Sequence, residues 1–192
     1  MQGDVKIGER SPTEASALKQ IAWMAQNPAL LPWHTSYNNV AMAQKINPHN
    51  DHSSSLMSPH ELLDLVNLSD FKSAYPFTLS GGMQQRVVLA RTLASGAAIW
   101  LMDEPFTALD ELTRESLALE VLDLWRRFQT TVLWVTHSIQ EAVRLADRVL
   151  VMSSRPGKFT AQHKIELPRP REDTSIQFQE HVRALREDLS QR

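Results

Sequence analysis

The sequence predicts an α/β fold in which buried strands of the parallel type alternate with helices. Residues 97–102 are a continuous apolar run of strand length, and 131–136 and 148–152 read as further strands around the apolar stretches 132–135 and 149–152. Between them lie stretches with apolar residues at helical spacing, from about Leu112 to Phe128 and over 139–146. Buried strands that alternate with helices need a sheet covered on both faces.

Composition narrows the class. At 192 residues with 42% hydrophobic content, the chain is long enough for one domain with a real core, or for most of a larger one. No apolar stretch approaches the roughly 18 to 20 residues of a membrane span. The N-terminus carries no apolar signal segment, so a soluble, cytoplasmic protein is expected. Twenty basic against 22 acidic residues give a net charge of -2, which argues against a broad electrostatic footprint for nucleic acid. The absence of cysteine removes disulfides and thiolate metal sites.

Taken in order, residues 3–8 read as the end of a hairpin, and residues 21–25 as a short strand leading to Gln26. Residues 27–33 hold two prolines and the apolar Ala29-Leu30-Leu31, an irregular loop that fits inward packing and partner contact about equally. Residues 44–57 are polar and rich in turn formers, and read as a loop. Its His49 and His52 fit a solvated segment better than a metal site. Ser58-Pro59-His60-Glu61 starts a helix, with serine as N-cap, proline at the first helical position and glutamate completing a capping box. Leu62, Leu63, Leu65, Val66 and Leu68 give that helix its buried face.

A second helix follows Gly82 and runs to about Ala94, with Met83, Val87, Ala90 and Leu93 or Ala94 on one face and Gly96 as its stop. In the tail, Leu167-Pro168-Arg169-Pro170-Arg171 breaks regular structure before a charged helix over about 175–189, expected to pack on the outside.

Two segments carry chemistry. Asp103 and Glu104 end a buried strand, where open α/β sheets place their ligands. Asp103 suits Mg²⁺ held through its water shell, and Glu104 suits polarisation of an attacking water. Asp-Glu-Pro after a strand also fits plain turn chemistry. Upstream, Leu79-Ser80-Gly81-Gly82-Met83-Gln84-Gln85-Arg86 offers a capping serine. Two successive glycines follow it and let backbone N–H groups approach an anion. A helix start alone explains Ser80 and one glycine, but not two.

The loop that would cradle a nucleotide's phosphates, Gly-x-x-x-x-Gly-Lys-Ser/Thr, is absent from the chain. Gly157-Lys158 is the only Gly-Lys pair, and Met152 and Phe159 stand where the first glycine and the hydroxyl belong.

In order and spacing the motifs resemble the ATP-binding subunits of ABC transporters. Gln26 matches the Q-loop, residues 79–86 the signature, and 99–104 the Walker B strand. Thr107-Ala108-Leu109-Asp110 matches the D-loop and His137 the switch histidine. The details are most similar to the importers of nitrate, taurine and aliphatic sulfonates. They are Asn27-Pro28-Ala29-Leu30-Leu31-Pro32-Trp33, Gly82-Met83-Gln84-Gln85-Arg86, Asp103-Glu104-Pro105-Phe106-Thr107-Ala108-Leu109-Asp110, Ser154-Arg155-Pro156-Gly157 and Leu167-Pro168-Arg169-Pro170-Arg171.

The resemblance implies a partial P-loop NTPase fold, RecA-like, whose parallel sheet carries an inserted helical subdomain. Its parts would be a β remnant with the Q-loop over 1–35 and a helical subdomain with the signature over 36–95. A RecA-like core would follow over 96–165, and a tail helix over 166–192. The cofactors implied are ATP and Mg²⁺, with Glu104 and His137 catalytic and Asp103 and Gln26 at the metal. Ser80, Gly81, Gly82 and Gln84 would contact nucleotide held by the opposite subunit, with Gln26 at the site and Asp110 organising the subunit interface.

Implied partners are a transmembrane permease met through the Q-loop and helical subdomain, a second ATP-binding subunit, and indirectly a solute-binding protein. The implied location is the inner face of the cell membrane, and no nucleic acid is expected.

By the same resemblance the phosphate loop and its strand belong before residue 1. Neighbours of that missing central strand are expected to expose apolar edges, and the chain alone is expected to bind ATP weakly or not at all. Three readings follow: a start codon set too late or a truncated gene; a degenerate partner that donates only its signature motif to a complete subunit; and the ATPase head of a DNA-repair or chromosome-structuring protein. The last is disfavoured by the lack of heptads and cysteine.

Overall fold

A computed structural model describes residues 4–47 and 57–190. The stretch with His49 and His52 lies outside the described residues, as does Gly3. The chain divides into two compact units, 1–133 and 134–192.

The first unit opens with a tight turn in which Ile7 and Arg10 bridge around Gly8, whose φ of 61° suits glycine. Helix α1 (Pro12–Ala17) follows, started by a capping box between Ser11 and Glu14. Strand β1 (Ile21–Met24) leads to the irregular segment, and α2 spans Ser36–Ile46 behind its N-cap Thr35. The first three residues of the polar loop expected over 44–57 are thus helical. Gln44, Lys45 and Ile46 form the last turn of α2, where the Gln44 side chain donates to the Met57 carbonyl at 2.8 Å.

Helix α3 (Pro59–Leu65) has the predicted capping box, with the Ser58 N–H donating to Glu61 at 2.7 Å. Leu62, Leu63, Val66 and Leu68 are buried as expected, while Leu65 is half-buried. Helix α4 (Gly81–Ala94), on which α2, α3 and β1 all pack, is the centre of this unit. Its residues Val87, Val88, Leu89 and Ala90 are each at most 1% exposed. Gly96, at φ 62°, ends the segment as expected. Then come β2 (Ile99–Asp103) and the long helix α5 (Glu111–Phe128). The Arg86 guanidinium joins three helices of this unit, donating to Glu120 of α5 at 2.7 Å and to the carbonyl of Val66, the C-cap of α3, at 3.1 Å.

The sheet of this part runs in the order β1-β2-β3, where β3 is Thr131–Val135. Strands β1 and β2 are parallel, with Met24 opposite Met102. Both Met side chains are buried, as is Trp100.

The second unit contains α6 (Ile139–Leu145), β4 (Arg148–Met152), β5 (Phe159–Lys164) and α7 (Ile176–Ser190). Strand β4 does not extend the three-stranded sheet. It pairs antiparallel with β5, an element that no apolar run in the sequence marks. Helix α7 is no outer appendage either. Phe178, Val182 and Leu185 join Val143, Val151 and Ile165 in one buried cluster. The charged composition of α7 hides this, because three apolar residues at helical spacing suffice for a narrow buried stripe.

Strands β3 and β4 are edge strands of separate sheets. Both present apolar side chains to solvent: Leu133 is 56% and Val135 48% exposed, Leu150 40% and Met152 51%. Valine-rich runs of this kind suit burial on both faces.

Candidate functional site

Parallel register brings the first two acidic and amide candidates to one edge. Since Met24 lies opposite Met102, Gln26 and Glu104 each follow two residues after a register pair. They leave the carboxyl edge of adjacent strands, which lie about 4.8 Å apart. Asp103 is the last residue of β2 and is exposed. Glu104 has φ 45°, a left-handed conformation that is uncommon outside glycine. Its carboxylate accepts a hydrogen bond from Thr107 Oγ1 at 3.0 Å.

The loop behind Glu104 is held by Arg114, a residue outside every motif of the sequence. Its guanidinium donates to the carbonyls of Phe106 at 3.3 Å, Thr107 at 3.4 Å and Leu109 at 2.9 Å. Asp110 ends the loop as the N-cap of α5, its carboxylate accepting from the Thr113 N–H at 3.0 Å. The Thr113 backbone hydrogen bond, with its side chain second, holds the Asp110 carboxyl below its ordinary value.

The signature segment sits against this loop. Ser80 is the N-cap of α4, accepting from the Met83 N–H. A Cβ at Gly82 would lie 3.0 Å from Thr113 Cγ2, and one at Gly81 would lie 3.4 Å from Leu109 Cδ2. Within this chain, then, the second glycine answers to close packing on α5. Gly81 itself is exposed. Gln84 turns inward along the chain, its side-chain amide donating to the Pro76 and Leu79 carbonyls at 3.0 and 3.2 Å.

Gln85 lies within the signature, yet its spacing alone assigns it no role. It is 2% exposed, and its Nε2 donates to the backbone carbonyl of Gln26 at 3.1 Å. Its Oε1 is buried without a partner among the described residues. The signature helix is thus bonded to the backbone of the Q-loop glutamine. A polar residue one helical turn from the buried Leu89 is the available signal.

The irregular stretch after Gln26 is held from both sides. Asn39, fully buried on α2, accepts from the Leu31 N–H at 2.8 Å and donates toward the carbonyls of Leu31, His34 and Thr35. Arg91 of α4 donates to the Ala29 carbonyl at 2.7 Å. Leu30 and Leu31 are half-buried, and Trp33 remains 68% exposed.

His137 belongs to the second unit. It is exposed, in a short connection between β3 and α6. The Trp134 indole N–H donates to Glu141 at 3.0 Å across that connection, and Ser138 caps α6. Among the described residues no group of three or more His, Cys, Asp or Glu side chains forms a metal cluster. None of the described helices is long and apolar enough to cross a membrane.

A parallel strand pair whose second strand ends in Asp103, beside a serine-capped helix that opens on two glycines, is the layout of an open α/β fold with its ligand edge at the carboxyl ends of the strands. The ABC transporter family matches residues 1–107, and the chain belongs to that family. An uncharacterised ABC transporter ATP-binding protein of Methanocaldococcus jannaschii is 46% identical over 81% of this chain and 58% of its own length. The taurine import ATP-binding protein TauB of Rhizobium johnstonii is 41% identical over 97% of this chain and 72% of its own. The nitrate import ATP-binding protein NrtD of Synechocystis is 43% identical over 74% and 53%.

Among solved structures, a dimer of the ATP-binding cassette MJ0796 in a post-hydrolysis state, bound to ADP and Pi, superposes with a TM-score of 0.70 at 28% identity. The match covers 86% of this chain and 74% of that one. Several of the curated relatives are thus spanned by this chain over less than two thirds of their length, 58% and 64% for two of them.

Proposed function

We propose that the chain acts within an ATP-binding subunit of an importer for small organic or inorganic anions of the nitrate, taurine and aliphatic sulfonate type. The observation that carries this reading is the shared carboxyl edge of Gln26, Asp103 and Glu104, bonded through Gln85 to the signature helix. Relatives named for import of taurine and of nitrate support the solute class.

In this reading Asp103 and the Gln26 amide would hold Mg²⁺. Two oxygen donors at an exposed edge fit that ion, which is usually bound by one or two protein ligands together with phosphates and water. Bound Mg²⁺ would neutralise phosphate charge. Glu104, fixed by Thr107, orients and polarises the attacking water. His137 contacts the γ-phosphate. Ser80, Gly81, Gly82 and Gln84 face nucleotide held by a second ATP-binding subunit, across an interface that Asp110 organises. Trp33 and the helical subdomain meet a membrane permease, placing the subunit on the cytoplasmic face of the membrane, with a solute-binding protein on the other side.

Because the sequence has no Gly-x-x-x-x-Gly-Lys-Ser/Thr loop, most phosphate-binding N–H groups are lacking in this chain. A second reading therefore stands beside the first, that of a non-catalytic partner lending its signature motif to a complete subunit. Uptake of nitrate, taurine and an aliphatic sulfonate by cells with and without the chain, and with Glu104→Gln, separates the two. Chain-dependent uptake abolished by Glu104→Gln supports the energising role. Uptake that needs the chain yet survives Glu104→Gln assigns the second reading, and uptake indifferent to the chain overturns both.

A further inference from the structure

The segment Leu167-Pro168-Arg169-Pro170-Arg171 has no part in the function proposed above, yet it holds a charge in the core of the second unit. Arg171 is 8% exposed. Burial pulls its guanidinium down to about 10, and no carboxylate lies within ion-pair distance of it among the described residues. Its partners are backbone carbonyls: Val143 at 2.6 Å, Ala146 at 2.7 Å, Leu167 at 3.0 Å and Ile165 at 3.1 Å. A buried cation is costly unless its donors are met, and here four carbonyls accept from the guanidinium, which carries five N–H groups.

Two of those acceptors belong to the last turn and C-cap of α6. Arg169 adds a bond to the Leu145 carbonyl and an ion pair with Asp147 at 2.7 Å. Arg144, from α6 itself, reaches Asp173 at 2.9 Å. Three guanidinium groups therefore fasten the end of a seven-residue helix whose carbonyls carry the negative end of its dipole. Its other end begins at Ser138, the residue after His137, and Glu141 of its first turn is bonded to Trp134. Between the two ends Val143 and Ile139 pack on the buried cluster of this unit, so the arginines fix the end of a helix that is otherwise held by apolar contacts and by Trp134 and Glu141.

We propose that Arg171, assisted by Arg169, is a positioning residue for His137, acting through α6. The role given to His137 rests on the function proposed above, but the positioning does not need nucleotide to be observed.

The test is NMR of the full chain with labelled histidine, the His137 ring signal being assigned by its loss in His137→Asn. It is read together with amide exchange over α6. In Arg171→Met and Arg169→Met the His137 signal is expected to shift or broaden, and the amides of residues 142–146 to exchange roughly tenfold faster or more, as loss of charge-assisted hydrogen bonds implies. Arg171→Lys, which keeps the charge but not the fork, is expected to restore the signal only in part. If Arg171→Met does not fold, Arg169→Met carries the reading alone. Faster α6 exchange with an unmoved His137 signal shows a purely structural clamp and overturns the proposal, as does unchanged exchange. A shifted His137 signal in a chain with no role in uptake would uphold the positioning while the functional reading fails.

Discussion

Gln85→Met separates stability from positioning. The substitution keeps an unbranched side chain of similar volume at a site that is 2% exposed. It removes the bond to the Gln26 carbonyl, a net loss of about 1 kcal/mol. It also removes a buried Oε1 with no partner among the described residues, which relieves about 1–3 kcal/mol of desolvation. Relief of desolvation outweighs the lost bond, so urea unfolding of the variant is expected to show unchanged or slightly raised stability. Amide exchange over residues 26–31 is nonetheless expected to accelerate, because the tie from α4 to the Q-loop backbone is gone. Gln85→Glu runs the other way. It places a carboxylate in the same burial without a donor of its own, and costs several kcal/mol or forces the acid to stay protonated. A loss in Gln85→Met of more than about 1.5 kcal/mol, or Q-loop amides that exchange no faster, would show that Gln85 does not act in this way.

The remaining outcomes follow from local contacts. Gly82→Ala sets a Cβ 3.0 Å from Thr113 Cγ2 and is expected to cost about 1–3 kcal/mol as overpacking. Thr113→Ser, which lacks that methyl, should recover much of it, and a coupling below about 0.5 kcal/mol in the double-mutant cycle would sink the idea. Phe178→Ala empties a fully buried position in the second unit. Denaturation should show a loss of about 3–5 kcal/mol, and a near-neutral result would place α7 outside the core after all. Hydrogen bonds from Ser11, Ser58 and Thr113 hold the Glu14, Glu61 and Asp110 carboxyls below their ordinary values of 4.5, 4.5 and 3.8. Depressed acids stabilise the fold above those ordinary values, and this contribution fades as pH falls through the lowered ones. Carboxyl titration by NMR should find all three below the unfolded values, and a raised value would contradict the caps.

Helix α3 is legible in the sequence because Ser58-Pro59-x-Glu61 states its own hydrogen bonds. The same pattern at Ser11-Pro12-x-Glu14 starts α1 but is hard to recognise, since only a few residues follow it and no apolar face advertises the helix. Strand β5 is hidden for a related reason. Exposed Thr160, Gln162 and Lys164 alternate with half-buried Ala161 and His163 on a two-stranded sheet, so no apolar run marks it.

The chemistry at the end of β2 can be read from Asp103 and Glu104 because parallel sheets place ligands there. What holds those residues cannot. Arg114, Gln85 and Arg171 act on backbone carbonyls, and a carbonyl partner leaves no trace in residue identity. The two-glycine step reads in sequence as a ligand feature. Its packing on Thr113 emerges only once α4 and α5 are placed side by side.

If Gln26, Asp103, Glu104 and the signature helix form the metal, water and signature side of an ABC nucleotide site, then this chain, whose sequence has no Gly-x-x-x-x-Gly-Lys-Ser/Thr loop, is expected to hold nucleotide weakly or not at all by itself. Titration of the purified chain with a fluorescent ATP analogue and Mg²⁺ decides the point. No saturable binding is expected, in the native chain and Asp103→Ala alike. Saturable binding by the native chain that Asp103→Ala abolishes would contradict it.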